Sequence, residues 1–161
     1  MRQLFFYTIL MILLISCNQN PTASNSNLGL ETRIKYDSTL ASEFGADEYE
    51  MKQYVMAFLK RGPNRSQDST TAANLQQAHM ENITRLANEG KLVLAGPFLD
   101  DGELRGIYIF NVKTVEEARQ LTATDPAIKA GSLTMELHPW YGSAALMNVN
   151  DLHNKLSKKA I

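Results

Sequence analysis

Along residues 49–59 (YEMKQYVMAFL) apolar side chains occupy both alternating faces, Tyr54, Met56 and Phe58 on one and Val55, Ala57 and Leu59 on the other. A strand buried on both sides, hence central in its sheet, is the expectation. Residues 60–71 (KRGPNRSQDSTT) carry a Gly-Pro pair and a polar cluster and predict a loop. Over 73–89, Leu75, Ala78, Ile83 and Leu86 follow helical spacing, and Gly90 is suited to stop the helix. Residues 92–95 form a short apolar strand, and Asp100-Asp101-Gly102 prepares a reversal. The returning strand, 104–112, places Gly106, Tyr108, Phe110 and Val112 on one face and Ile107 and Ile109 on the other. Thr114 and Glu117 stand at capping-box spacing for a helix over 115–124, which Asp125-Pro126 ends because proline lacks a donor and disfavours helical geometry before it. From Ser132 to Leu137 the alternation of Leu133, Met135 and Leu137 against Thr134, Glu136 and His138 predicts a half-buried last strand.

This order, strand, helix, strand, strand, helix, strand, is the split β-α-β arrangement of an α+β, ferredoxin-like domain over residues 48–141. Two helices cover only one face of such a sheet. A second copy is the plainest cover for the other face, so a homodimer through the sheet is expected. In the tail, 142–161, Val149, Leu152 and Leu156 are spaced for a short C-terminal helix with Lys155, Lys158 and Lys159 outside.

The start of the chain follows another logic. Arg2, an apolar run over 4–15 and the small Ser16 before Cys17 have the order of a secretion signal. At about 1.5 Å per helical residue the run reaches about 18 Å, short of the roughly 30 Å that a spanning helix must cross. Leu14-Ile15-Ser16-Cys17 resembles the lipobox of bacterial lipoproteins, which implies a signal peptide over 1–16, lipid on Cys17 and a domain held at a membrane of the cell envelope, outside the cytoplasm; an ordinary signal peptide with an incidental cysteine is the other reading. Residues 17–47 then act as a flexible tether, polar from 18 to 27 and mixed from 28, where Ile34, Tyr36, Leu40 and Phe44 either pack onto the domain or continue the linker.

Composition narrows the partners. The 161 residues are 44% hydrophobic and 20% charged, with 16 Lys and Arg against 17 Asp and Glu, so neither disorder nor a polybasic nucleic-acid surface is indicated. One cysteine excludes an intramolecular disulfide and any multi-thiolate metal site. No cofactor motif is present; the glycines form no phosphate loop between strand and helix.

Three histidines remain, at 79, 138 and 153. At about 100° per residue, His79 falls between Leu86 and Ile83 on the apolar stripe of the first helix and points inward. A buried imidazole needs partners for both nitrogens. Asp125, at the break after the second helix, is the natural acceptor, and such a carboxylate would fix the tautomer and make His79 a general acid or base. The plainer reading is a satisfied core histidine, with Asp125 merely capping its turn. Convergence of His79, His138 and Asp125 on a metal is a third arrangement that nothing in the spacing requires. Trp140 and Tyr141 read as core or dimer packing, and Ser132 as the start of a strand.

The stretch His79-Met80-Glu81-Asn82-Ile83-Thr84-Arg85-Leu86, then 89–97 (EGKLVLAGP), Ala118, 124–127 (TDPA), Ala130-Gly131 and His138-Pro139-Trp140, resembles the YCII-related (YciI-like) family over about 51–140. The resemblance implies a dimeric ferredoxin-like α+β barrel whose His and Asp pair maps onto His79 and Asp125. It implies no particular reaction, although some relatives are lyases or dehalogenating enzymes acting on hydroxylated aromatic compounds. Two functions follow as expectations: a lipid-anchored small-molecule enzyme moving protons with His79 and Asp125 in a lyase, isomerase or hydrolase reaction, or a non-catalytic ligand-binding or interaction module.

Overall fold

The computed structural model describes residues 35–64 and 68–159. The signal, Cys17 and most of the tether lie outside the described residues. Of the unit Met1–Tyr36 only residues 35 and 36 are described, both exposed. The unit Asp37–Ile161 contains every element among the described residues.

It opens with α1 (Ser38–Phe44), in which the Thr39 and Leu40 N–H groups donate to the Asp37 carboxylate. Leu40 is 45% exposed, so this helix buries little. β1 (Met51–Arg61) follows, then α2 (Ser69–Asn88), β2 (Leu92–Pro97), β3 (Leu104–Phe110), α3 (Val115–Thr122), the single turn α4 (Pro126–Lys129), β4 (Leu133–Ser143), a 3₁₀ turn (Ala144–Asn148) and α5 (Val149–Leu156).

The four strands form one sheet in the order β2-β3-β1-β4, every neighbouring pair antiparallel. The domain is an α+β, ferredoxin-like fold, with β1 central as its doubly apolar pattern requires. Val55, Ala57 and Leu59 of β1 meet Leu86 of α2, Ala118 of α3, and Tyr108 and Phe110 of β3 in the main core. On the other face Tyr54, Val93 and Ile109 form a second cluster, against which Met56, Trp140, Leu146 and Met147 pack. The 3₁₀ turn thus covers part of the face for which the sequence offered only a second copy.

Several boundaries differ from the sequence reading. β1 continues to Arg61 and α2 begins at Ser69, so the loop is shorter than 60–71; Asp68 accepts from the N–H groups of Thr70 and Thr71 and starts the helix a turn early. Gly90 has φ +66°, the left-handed conformation that lets the chain leave α2. The Thr114–Glu117 capping box is present, but α3 stops at Thr122. Asp125-Pro126 then begins a helical turn of its own, with Pro126 in its first turn where a missing donor costs nothing. β4 runs through Pro139 to Ser143, since on an edge strand the proline can face away from the ladder.

Candidate active site

The site lies where α2 crosses the sheet. α2 buries His79, Asn82 and Leu86 at three- and four-residue spacing on its inner face. His79 is 7% exposed and Asp125 1%. The two meet across 46 residues of chain, with His79 Nδ1 2.7 Å from Asp125 Oδ2. The turn before α4 achieves this because one carboxylate serves two ends: Oδ1 accepts from the Ala127 N–H at 2.8 Å while Oδ2 takes the imidazole. An acceptor-only carboxylate makes Nδ1 the protonated nitrogen of neutral His79, leaving the lone pair on Nε2.

The occupant of that second nitrogen was not foreseen. The Tyr108 hydroxyl lies 3.2 Å from Nε2, with the two rings stacked at 6.3 Å between centroids. Tyr108 is 2% exposed. Burial, with the Asp125 charge adding to it, pushes its phenol far above the ordinary tyrosine range. Tyr108 therefore keeps its proton and donates to His79. At 3.2 Å the contact is at the long end for an O–H donor, so a ligand group can compete for Nε2. The sequence carried a signal for Tyr108: a phenol on the same strand face as Gly106 and Phe110, looking at the helix layer, needs a polar partner there.

A second polar group ties the same elements together one turn along α2. Asn82 Oδ1 accepts from Arg85 Nη2 at 2.9 Å and lies 3.0 Å from Thr124 Oγ1, and Arg85 Nη2 also reaches Thr124 at 2.9 Å. Thr124 precedes Asp125, so this network holds the turn that aims the carboxylate. Asn82 Nδ2 is buried with no hydrogen-bond partner among the described residues.

His79, Tyr108, Leu75, Ile83, Leu92 and Leu133 border a cavity of about 1060 Å³ between α2, the β2 edge and α5. Gly106 also lines it; a Cβ there would stand 2.6 Å from the Gly96 carbonyl oxygen, so only glycine permits this closeness of β2 and β3. α5 is fixed to the cavity wall by Asn150 Nδ2, which donates to the Leu92 carbonyl at 2.8 Å.

The other candidates lie apart. His138 is exposed and bonded to Glu136, its ring edge-on to Phe58, so it does not join His79 and Asp125 around a metal. Trp140 packs against Tyr54 at 5.8 Å between centroids. Tyr141 is 52% exposed and donates to Asp47. Ser132 Oγ donates to the Ala127 carbonyl at the entry to β4.

Comparison with known proteins finds the YCII-related domain matching residues 53–141, more than half of the chain. The uncharacterized protein YjpA of Bacillus subtilis (strain 168) is 32% identical over 62 residues, which are 38% of this chain and 71% of that protein. A solved structure of 5-chloro-2-hydroxyhydroquinone dehydrochlorinase (TftG) from Burkholderia phenoliruptrix AC1100, in complex with 2,5-dihydroxybenzoquinone, covers 53% of this chain and 92% of its own at 18% identity and a TM-score of 0.41.

Proposed function

The chain belongs to the YCII-related domain family, and we propose on that premise that it is a small-molecule enzyme whose His79 moves a proton at Nε2. The single observation that carries this is the buried Asp125–His79 pair at 2.7 Å beside a cavity large enough for a metabolite. Asp125 holds the Nδ1–H tautomer and steadies the imidazolium that forms when Nε2 takes a proton. Tyr108 orients the ring and, as a permanent O–H, offers a donor to negative charge developing on the substrate. Proton removal and return of this kind serve eliminations, isomerisations and hydrolyses alike.

The working unit in this reading is a homodimer, held at a membrane of the cell envelope by lipid on Cys17. Both rest on the sequence: the Leu14-Ile15-Ser16-Cys17 run for the anchor, and apolar residues on both faces of the sheet for the dimer.

The test is turnover of a panel of small enols, lactones and halogenated aromatic acids by the full-length protein and by His79→Gln. The variant should lose about 100-fold or more of whatever activity the parent shows, the usual contribution of a positioned general base. Unchanged turnover would sink the assignment. One observation favours a second reading, a ligand-binding module: both ring nitrogens of His79 already have partners inside the protein. Under it, ligands bind equally well to parent and variant and neither changes them.

A further inference from the structure

The cavity wall holds one guanidinium that the proton-transfer scheme does not use. Arg105 lines the same cavity as His79 and Tyr108. In β3 it is the extra residue of a bulge, since Leu59 pairs with Gly106 but Lys60 with Leu104. Bulges commonly re-aim a side chain next to a binding site.

The contacts of Arg105 are lopsided. Nη1 alone is engaged, at 3.2 Å from Asp101 Oδ1 and 3.3 Å from the carbonyls of Asp100 and Gly102. Asp101 is no dedicated counterion: its carboxylate is closer to Arg61, at 2.6 Å, and its side chain is 93% exposed. Nε and Nη2 of Arg105 have no partner among the described residues. The Arg105 side chain is 30% exposed, partly withdrawn from water yet reachable. An arginine pinned by one nitrogen, with another edge of its fork free, is arranged to take a planar carboxylate through two parallel N–H bonds. Leu59 and Pro97, which pair with the neighbouring Gly106, give the wall an apolar stretch beside it, and Leu92 and Leu94 extend that stretch along β2, while Asp151 and Lys159 bring one charge of each sign.

We propose that this cavity takes a largely apolar molecule bearing a carboxylate, and that Arg105 is the specificity-determining residue that binds the carboxylate while the apolar body lies toward His79. The proposal rests on reading the cavity as the protein's small-molecule site, and it assigns the substrate class rather than the reaction.

The probes are 4-phenylbutanoate and its uncharged match 4-phenylbutan-1-ol, titrated into the full-length protein by calorimetry and by the NMR shifts of the His79 ring. The acid should bind at least about tenfold more tightly than the alcohol, the scale of a charge-assisted pair. Arg105→Gln should erase that preference without weakening the alcohol, and Arg105→Lys, keeping the charge but not the fork, should fall between. Equal affinities, no binding of the acid, or a preference that survives Arg105→Gln would overturn the assignment. His79→Gln separates it from the catalytic reading: the acid preference should persist there even where turnover is lost, and a His79 without catalytic effect leaves the Arg105 result standing.

Discussion

At the scale of single residues, the site depends on which of three hydrogen-bonded groups holds its proton. Tyr108 is buried beside Asp125, and both facts raise its phenol, burial most. In the unfolded chain the same phenol ionises near pH 10. Above that pH the folded state binds more protons than the unfolded one, so stability falls as pH rises, by up to about 1.4 kcal/mol per pH unit for one such group. Tyr108→Phe removes this contribution, and urea denaturation of the variant above about pH 10 should show a shallower alkaline decline than the parent. Part of the decline should remain, because Tyr54 is also raised by burial and Tyr141 is held up at about 12, chiefly by its bond to Asp47. An identical slope in both proteins would mean that Tyr108 is not the proton-holding member. His79 was legible in the sequence because a polar residue inside a helical apolar stripe stands out. Tyr108 is harder to read: an aromatic on an apolar strand face looks like core, its hydroxyl has no effect on periodicity, and only the general need of a buried phenol for a polar partner points to it.

At the scale of elements, Asp125 links secondary structure to the site, since its two oxygens serve α4 and His79 separately. Two substitutions divide these roles. Asp125→Asn keeps an oxygen for the Ala127 N–H but removes the charge that selects the Nδ1–H tautomer; Asp125→Ala removes both. Loss of an N-cap costs about 1 kcal/mol, so Asp125→Ala should be less stable than Asp125→Asn by about that amount, and on the proposed role of His79 both should lose turnover. Equal stabilities would show that the cap contributes nothing. The sequence marked Asp125-Pro126 as a stop, which is correct for α3, but proline suits the first turn of a helix as well as the end of one, and four residues of α4 are too few for any period to reveal. Pro139 misled in the same way. Whether a proline is tolerated in a strand depends on which strands border it, and edge position is a property of the sheet that β4's own residues do not carry.

At the scale of the molecule, the partly covered surface is the sheet face turned away from α2 and α3. The apolar alternation of β1 shows that both faces need cover, but periodicity cannot say which part of the chain supplies it. The 3₁₀ turn brings Leu146 and Met147 onto Tyr54, Val93 and Ile109. Met56 and Phe58, further along the same face of β1, remain only half-buried, with Phe58 edge-on to exposed His138. If a second copy completes the cover, it must seat on this remaining strip. A charge placed there would be desolvated on association and should oppose it strongly, while costing the isolated domain little because the position still reaches water. Phe58→Glu should therefore convert a dimer, measured by light scattering on the full-length protein, into monomers whose melting temperature no longer rises with concentration. A parent that is already monomeric would rule out a partner copy, and a Phe58→Glu variant that dimerises as well as the parent would place that copy elsewhere; either outcome leaves the C-terminal segment as the cover this face has.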